Sequence, residues 1–398
     1  MAERFDSLFA GISEADALRY IASAPETLDN PGLKYLAATR LGACHSEESL
    51  AALMRIAATV HSNLYDRIAR RKALEALGRR KDQRSLPVLI DALGGDDEPA
   101  VVNAADAIAR LAIPLNDEQS SKLSQALDGP DNQRRAVIQT HCRLEIKSAS
   151  EAIRRLSLDD NPLVAGAALA YRARVLDEPE ATQGLVHQLD DANAGRRRAA
   201  VIDLGDAHHA ATLEALIRCP VSMPLRAKSA LNILGDRAWQ SSDSQAQGLL
   251  EQLLQDDPRE LNLSMVEPVE SAAEAIEPRL QHRDEAQQYA GAVGLLQMKR
   301  DVALSLIDHL RQNLGSDYGV HYLIANSIGL LGLSERTDAV VEALHEIGPQ
   351  YAKSRVAAAW SCRHLQLIES ERPLLEQLAS ESPWLPLKWS CMKVLRKL

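Results

Sequence analysis

One stretch, GSDYGVHYLIANSIGLLG at 315–332, spaces two tyrosines, an aspartate and an asparagine as a helix would. At about 100° per residue, Val320, Leu323, Ile324, Ile328 and Leu331 fall on one side and form the apolar stripe that a packed helix needs. Tyr318, Tyr322, Ala325 and Gly329 fall on the other, flanked by His321 and Asn326, with Asp317 at the helix start. Large polar rings beside two small residues could form the walls and floor of a site for a flat ligand. A carboxylate and phenols there could also donate and accept protons. The competing reading is that Asp317 caps the helix and the tyrosines pack against the next repeat. Asp317 is expected to cap in either case, because Asp accepts from the N–H groups of a first turn.

A second set lies in NLYDRIARRKALEALG, 63–78. Ala69, Ala73, Ala76 and Leu77 point one way and Arg67 and Arg71 the other, with Tyr65 and Asp66 at the start. A guanidinium fork binds carboxylates bidentately, so paired arginines suit a dicarboxylic ligand; acids of a neighbouring repeat would pair with them equally well. Arg196 and Asp203, with Ala199 and Ala200 between them, form a weaker third set, since a salt-bridged surface would look the same. Trp360 and His364, one turn apart, form a fourth, in which Trp360 also suits a core.

The elements that must position these residues are helical repeats. PGLKYLAATRLGA (31–43), DRIARRKALEALGRR (66–80), GRRRAAVIDLGDA (195–207) and PLRAKSALNILGD (224–236) each carry a basic residue early, small residues in the middle and Leu-Gly near the end. The Leu-Gly pairs recur at about 30 to 36 residues or roughly multiples of that, with second helices such as SLPVLIDALGG between them. Asn30-Pro31 and Asn161-Pro162 have the form of an N-cap followed by Pro, and Gly is expected to close many helices. The predicted fold is an all-α, HEAT-like α-solenoid of roughly ten helix pairs, curved with a concave binding face. As one continuous solenoid it divides into repeats over 1–255, an irregular segment over 256–300, and repeats with a cap over 301–398.

Composition agrees and narrows the function. The chain is 46% hydrophobic but 4% aromatic, so its core must be built from Ala, Leu, Val and Ile. A net charge of −10 argues against a nucleic-acid partner. Five cysteines, at 44, 142, 219, 362 and 391, stand singly and read as reduced thiols without a disulfide framework. Eleven histidines show no metal spacing; His208 and His209 are adjacent and do not face one another, so no metal is expected. No run approaches the roughly 18 to 20 apolar residues that cross a bilayer, and MAERFDSLFAG lacks a secretory leader's long apolar region. These features predict a soluble, cytoplasmic protein with no membrane partner.

Residues 63–112, NLYDRIARRKALEALGRRKDQRSLPVLIDALGGDDEPAVVNAADAIARLA, resemble the N-terminal region of E/F-type phycobilin lyases. DYGVHYLIANSIGLLG and the ending PWLPLKWSCMKVLRKL extend the likeness over most of the chain. The chain's length is similar to that of the fused members that act on phycoerythrin. The resemblance implies a lyase, possibly a lyase-isomerase, that attaches phycoerythrobilin by a thioether to a cysteine of a phycoerythrin α subunit and can isomerise it to phycourobilin. It further implies that the linear tetrapyrrole is substrate, with no permanently bound cofactor, and that the nucleophilic cysteine belongs to the phycobiliprotein. On that reading Arg67 and Arg71 hold propionates, Tyr318 and Tyr322 pack on the rings, and Asp317 with Tyr318 does the chemistry. Tyr65, Asp66, Arg196, Asp203, His321, Asn326 and Trp360 complete the expected bilin contacts. The reading from another class is a non-catalytic HEAT scaffold, or a factor that detaches bilins or promotes phycobilisome turnover.

Overall fold

The computed structural model describes residues 11–60, 62–235 and 244–396, so the reading of MAERFDSLFA as lacking a leader lies outside them. Every regular element among the described residues is helical: 23 α-helices and short 3₁₀ turns. No helix among them is long and apolar enough to cross a membrane. The chain forms two compact units, Met1–Ala181 and Thr182–Leu398. In the first, the helices Leu33–Leu41, Leu64–Arg80, Glu98–Leu111, Asp131–Arg143 and Pro162–Val175 stack side by side, each flanked by the helix or 3₁₀ turn preceding it. This is an all-α HEAT-like solenoid.

Small residues set the stacking distance. Ala69, Ala73 and Ala76 of the Leu64–Arg80 helix are fully buried, as are Ala100, Ala104 and Ala105 of the next stacked helix. A side chain on Gly78 would place its Cβ 2.6 Å from the Cα of Ala107; one on Gly205 would come within 2.9 Å of the Cα of Ser229. Gly329 is likewise crowded, at 2.8 Å from the Cα of Ser361. These repeated glycines are therefore contact points between neighbouring repeats. Gly78 and Gly205 lie inside the helices Leu64–Arg80 and Ala194–Ala207, so the expectation that the repeated glycines close helices is corrected there. Gly235 and Gly332, at φ 76° and 62°, do sit at helix C-caps.

Asparagine caps fix the starts of two of the stacked helices, Leu64–Arg80 and Pro162–Val175. Asn161 accepts from the N–H of Leu163 at 2.9 Å with Pro162 following it, as the Asn-Pro pattern predicted. Asn30 differs: its side chain accepts from Gly32 N–H in a turn, and the helix begins at Leu33. Between 256 and 300 the irregular run is confined to 261–272, since a 3₁₀ turn at Pro258–Glu260 precedes it and the helices Ala273–Leu280 and Glu285–Leu296 follow. The final helix, Leu385–Arg396, buries Trp389.

Candidate functional site

In the first unit, Asn63 caps the Leu64–Arg80 helix by accepting from the Tyr65 N–H at 2.9 Å. That cap brings Tyr65, Asp66, Arg67 and Arg71 to one helix start. Arg71 is already engaged: its Nε and Nη2 reach both oxygens of Asp97 at 2.6 to 3.1 Å. Burial opposes ionisation of Asp97, yet the hydrogen bonds and charge of Arg71 still hold its carboxyl below the usual range. Asp66 faces the buried Lys34, whose Nζ lies 2.7 Å away. The expectation that Arg71 and Asp66 present free groups to a ligand is corrected: acids and bases of adjoining repeats take them first. Arg67 lies 3.8 Å from Asp97 and is 43% exposed, and Tyr65 is exposed, so these two do face outward.

Arg196 and Asp203 do not form a set. Arg196 pairs with Asp191 at 3.2 Å, whereas Asp203 is buried. Trp360 is core, with its indole N–H donating to Ser390 Oγ at 3.2 Å, and the ligand role expected of it is corrected.

The Tyr318–Leu331 helix departs furthest from its predicted two-sided pattern. Asp317 caps it as expected, one oxygen accepting from Gly319 and Val320 N–H groups at 2.8 and 2.9 Å. Tyr318 is exposed and stands edge-on to Tyr351, with ring centres 5.3 Å apart. His321 lies against the same Tyr351 ring at 4.7 Å and bonds Ser354 Oγ at 3.0 Å. Tyr322 and Asn326, however, are each 3% exposed and offer no surface to a ligand. Both turn to Asp256: the Tyr322 hydroxyl donates to its carboxylate, and the Asn326 amide donates to its backbone carbonyl at 2.8 Å. Ala325 and Gly329 serve helix packing, since Ser361 donates to the Ala325 carbonyl at 2.8 Å. The expected ligand face is thus half an interior.

Asp256 is the hub of that interior. It sits at φ 48° just past the Ser244–Gln255 helix, buried. Arg226, also buried, donates to its carboxylate, and Tyr289 donates to the same carboxylate at 2.7 Å. Burial pushes the Tyr289 and Tyr322 hydroxyls well above the usual phenol range, and the charge on Asp256 adds to it. Above this cluster rests Lys353, half-buried, its ammonium 4.7 Å from the centre of the Tyr322 ring. Burial lowers its pKa, against the opposing pull of Asp256, Glu285 and Asp317. Sequence reasoning missed Lys353, Tyr351, Asp256, Tyr289 and Arg226. A signal existed for Tyr351: exposed or half-exposed tyrosines recur in the first turn or cap of stacked helices, at 35, 65, 318 and 351.

Beside His321 and Tyr351 opens a cleft of about 460 Å³, walled by Arg311, Ile324, Ala339, Glu342 and Glu346. Burial holds the His321 imidazole below its ordinary value despite the nearby Glu346 and Glu342. A larger cleft of about 610 Å³ in the first unit, edged by Asp91, Asp96, Glu98 and Lys122, contains none of the residues singled out by the sequence. What the second unit offers is therefore a carboxylate, two phenols packed edge-to-face, an imidazole and a half-buried amine at one end of adjacent helices. That set can grip a flat conjugated molecule and move protons on it.

Comparison with known proteins places these features in context. The HEAT-repeat family profile matches residues 26–109 and 63–140. An uncharacterized phycocyanin operon protein Y of Pseudanabaena tenuis is 28% identical over 363 residues, covering 90% of this chain and 86% of the relative. The bilin biosynthesis protein PecE of Nostoc sp. is 29% identical over 171 residues, 42% of this chain and 65% of that protein. Its counterpart in Mastigocladus laminosus is 26% identical over 176 residues, 42% of this chain and 64% of that protein. Among solved structures, the complex of CpcE and CpcF of phycocyanin lyase from Nostoc sp. matches with a TM-score of 0.53 and 21% identity, over 61% of this chain and 95% of that one. That last likeness is one of fold.

Proposed function

We propose, from the premise that the chain belongs to the HEAT-repeat E/F-type phycobilin lyase family, that it joins phycoerythrobilin through a thioether to a cysteine of a phycoerythrin α subunit. We further propose that it can isomerise the product to phycourobilin. It acts in the cytoplasm, and the tetrapyrrole is its substrate, not a resident cofactor. The observation that carries the reading is the exposed Tyr318, next to Asp317 at one helix start and packed edge-on to the half-exposed Tyr351. In attachment, the acceptor sulfur bonds to the exocyclic carbon of the ring A ethylidene and loses its proton. The double-bond pair moves to the ring carbon, which takes up a proton, so nothing is oxidised. Isomerisation needs a proton to leave one carbon and return to another. Asp317 and Tyr318 stand where such a proton could be handled, and the phenol rings can lie against the conjugated plane. For the first unit taken by itself we propose that Arg67, 3.8 Å from Asp97 and 43% exposed, meets a ligand carboxylate.

The test is co-expression with a phycoerythrobilin pathway and a tagged phycoerythrin α subunit, read by absorbance of the purified subunit under denaturing conditions. Covalent colour with wild type, and its loss in Asp317→Asn and Tyr318→Phe variants that still fold and bind bilin, supports the reading. An uncoloured subunit with wild type would point to a scaffold; loss of colour from a pre-loaded subunit would point to a detaching factor.

A further inference from the structure

The start of the Ala352–His364 helix brings to the site a group whose neighbours have all been taken. Lys353 lies on the ring of Tyr322, and that ring is anchored by its hydroxyl to Asp256 and is itself buried. The floor under the ammonium is therefore rigid. The charged groups that act on Lys353 come from three other elements: Asp256 after the Ser244–Gln255 helix, Glu285 at the start of Glu285–Leu296, and Asp317 at the start of Tyr318–Leu331. Each is engaged elsewhere. Asp256 holds Arg226, Tyr289 and Tyr322. Glu285 takes Arg198 through both oxygens, at 2.6 to 3.1 Å. Asp317 caps its helix. Among the described residues none of these carboxylates comes within the 4.0 Å of a salt bridge to Lys353. A half-buried amine of this kind is not a structural ion pair. Seated on the Tyr322 ring with no carboxylate in salt-bridge reach, and with burial disfavouring its charged form, it gives up a proton more readily than an exposed lysine does.

We propose that Lys353 is a further proton-transfer residue of the site, acting beside Asp317 and Tyr318. The inference rests on the lyase reading above. The neutral amine takes the proton of the acceptor thiol as sulfur bonds to the exocyclic ethylidene carbon. The resulting ammonium then returns that proton to the ring carbon that receives the double-bond pair. The amine ends as it began, and no oxidant or reductant is consumed. The same exchange, run carbon to carbon, moves the double bond in isomerisation. Asp317 supplies the counter-charge through space, and the Tyr322 ring faces the ammonium when it forms.

Two measurements on the full chain decide the matter. In the free protein, competitive acetylation of lysines across pH, read by mass spectrometry, should give Lys353 a labelling midpoint below that of the exposed Lys81. In the attachment assay, Lys353→Arg should keep the fold and the bilin affinity but lose roughly 10²- to 10⁴-fold in rate, the usual worth of a general acid/base. Methylamine added to Lys353→Ala should restore part of that rate. A Lys353→Arg enzyme with wild-type rate, alongside an inactive Lys353→Met, would mean the ammonium only holds a ligand carboxylate, and overturns the proposal. So does a labelling midpoint equal to that of Lys81. A wild type that attaches no bilin while Lys353 labels early refutes the lyase reading and still supports a proton-exchanging lysine at this site.

Discussion

Replacing Asp256 by Asn isolates the charge at the hub of the second unit. Asn keeps the shape and tolerates the left-handed backbone at φ 48°, so backbone strain should not contribute. What changes is electrostatic. The side chains of Arg226 and Asp256 are each 1% exposed. Arg226 still has the carbonyls of Val221 and Ile217, at 2.9 and 2.6 Å, but no counter-charge. An uncompensated buried charge of this kind costs about 3–5 kcal/mol. Both phenols donate to one oxygen of Asp256 and Arg226 donates to the other, so an amide, with one oxygen and one NH2, must set a donor against either the phenols or the guanidinium. For a unit of roughly 200 residues that cost lowers Tm by about 6–20 °C. The assay is built in: all four tryptophans, at 239, 360, 384 and 389, fall within 182–398, so their fluorescence reports on the second unit. Far-UV circular dichroism follows both units. Tyr289→Phe and Tyr322→Phe should each cost less, about 1–3 kcal/mol, and less together than their sum, since they share one carboxylate. An Asp256→Asn variant within about 1 kcal/mol of wild type by tryptophan fluorescence would refute the hub, and with it the reason for treating Tyr322 as interior.

His141 makes the first unit sensitive to acid. It is fully buried, and burial holds its pKa down to about 4 against 6.5 in the open chain. A depressed folded value means that stability is full above pH 6.5 and falls towards pH 4, by up to about 3 kcal/mol; urea titrations should show this slope in wild type and not in His141→Gln. Arg71→Gln should cost the first unit about 1–3 kcal/mol through its lost bonds to Asp97, whereas Arg67→Gln should change stability by less than about 0.5 kcal/mol and yet weaken phycoerythrobilin binding in a fluorescence titration. Burial pushes Cys219, Cys362 and Cys391 up to about 12, so native protein at neutral pH should resist iodoacetamide at these thiols, and alanine at all five cysteines should leave attachment intact in any variant that folds.

Period and punctuation were enough to determine the repeat architecture. An Ala-rich, Phe-poor chain with basic, small and Leu-Gly positions recurring at one interval can bury its apolar faces only by stacking like units, and it does so. Asp317 as a cap and Asn161-Pro162 as a helix start were equally local, because the atoms they bond lie two or three residues away. Helical period could not show which polar residues stay outside. A stacked helix is covered by its own partner and by a neighbouring repeat, so a two-sided wheel underestimates its burial. Tyr322 and Asn326 look like a surface on that wheel until Asp256, from a loop 66 to 70 residues earlier, arrives beneath them. Arg71 met Asp97 in the same way, 26 residues along the chain. Lys353 became a candidate only through three dimensions. What matters about it is that Asp256, Glu285 and Asp317 already have other partners, and which carboxylates are taken depends on how the helices stack, not on any spacing along the sequence.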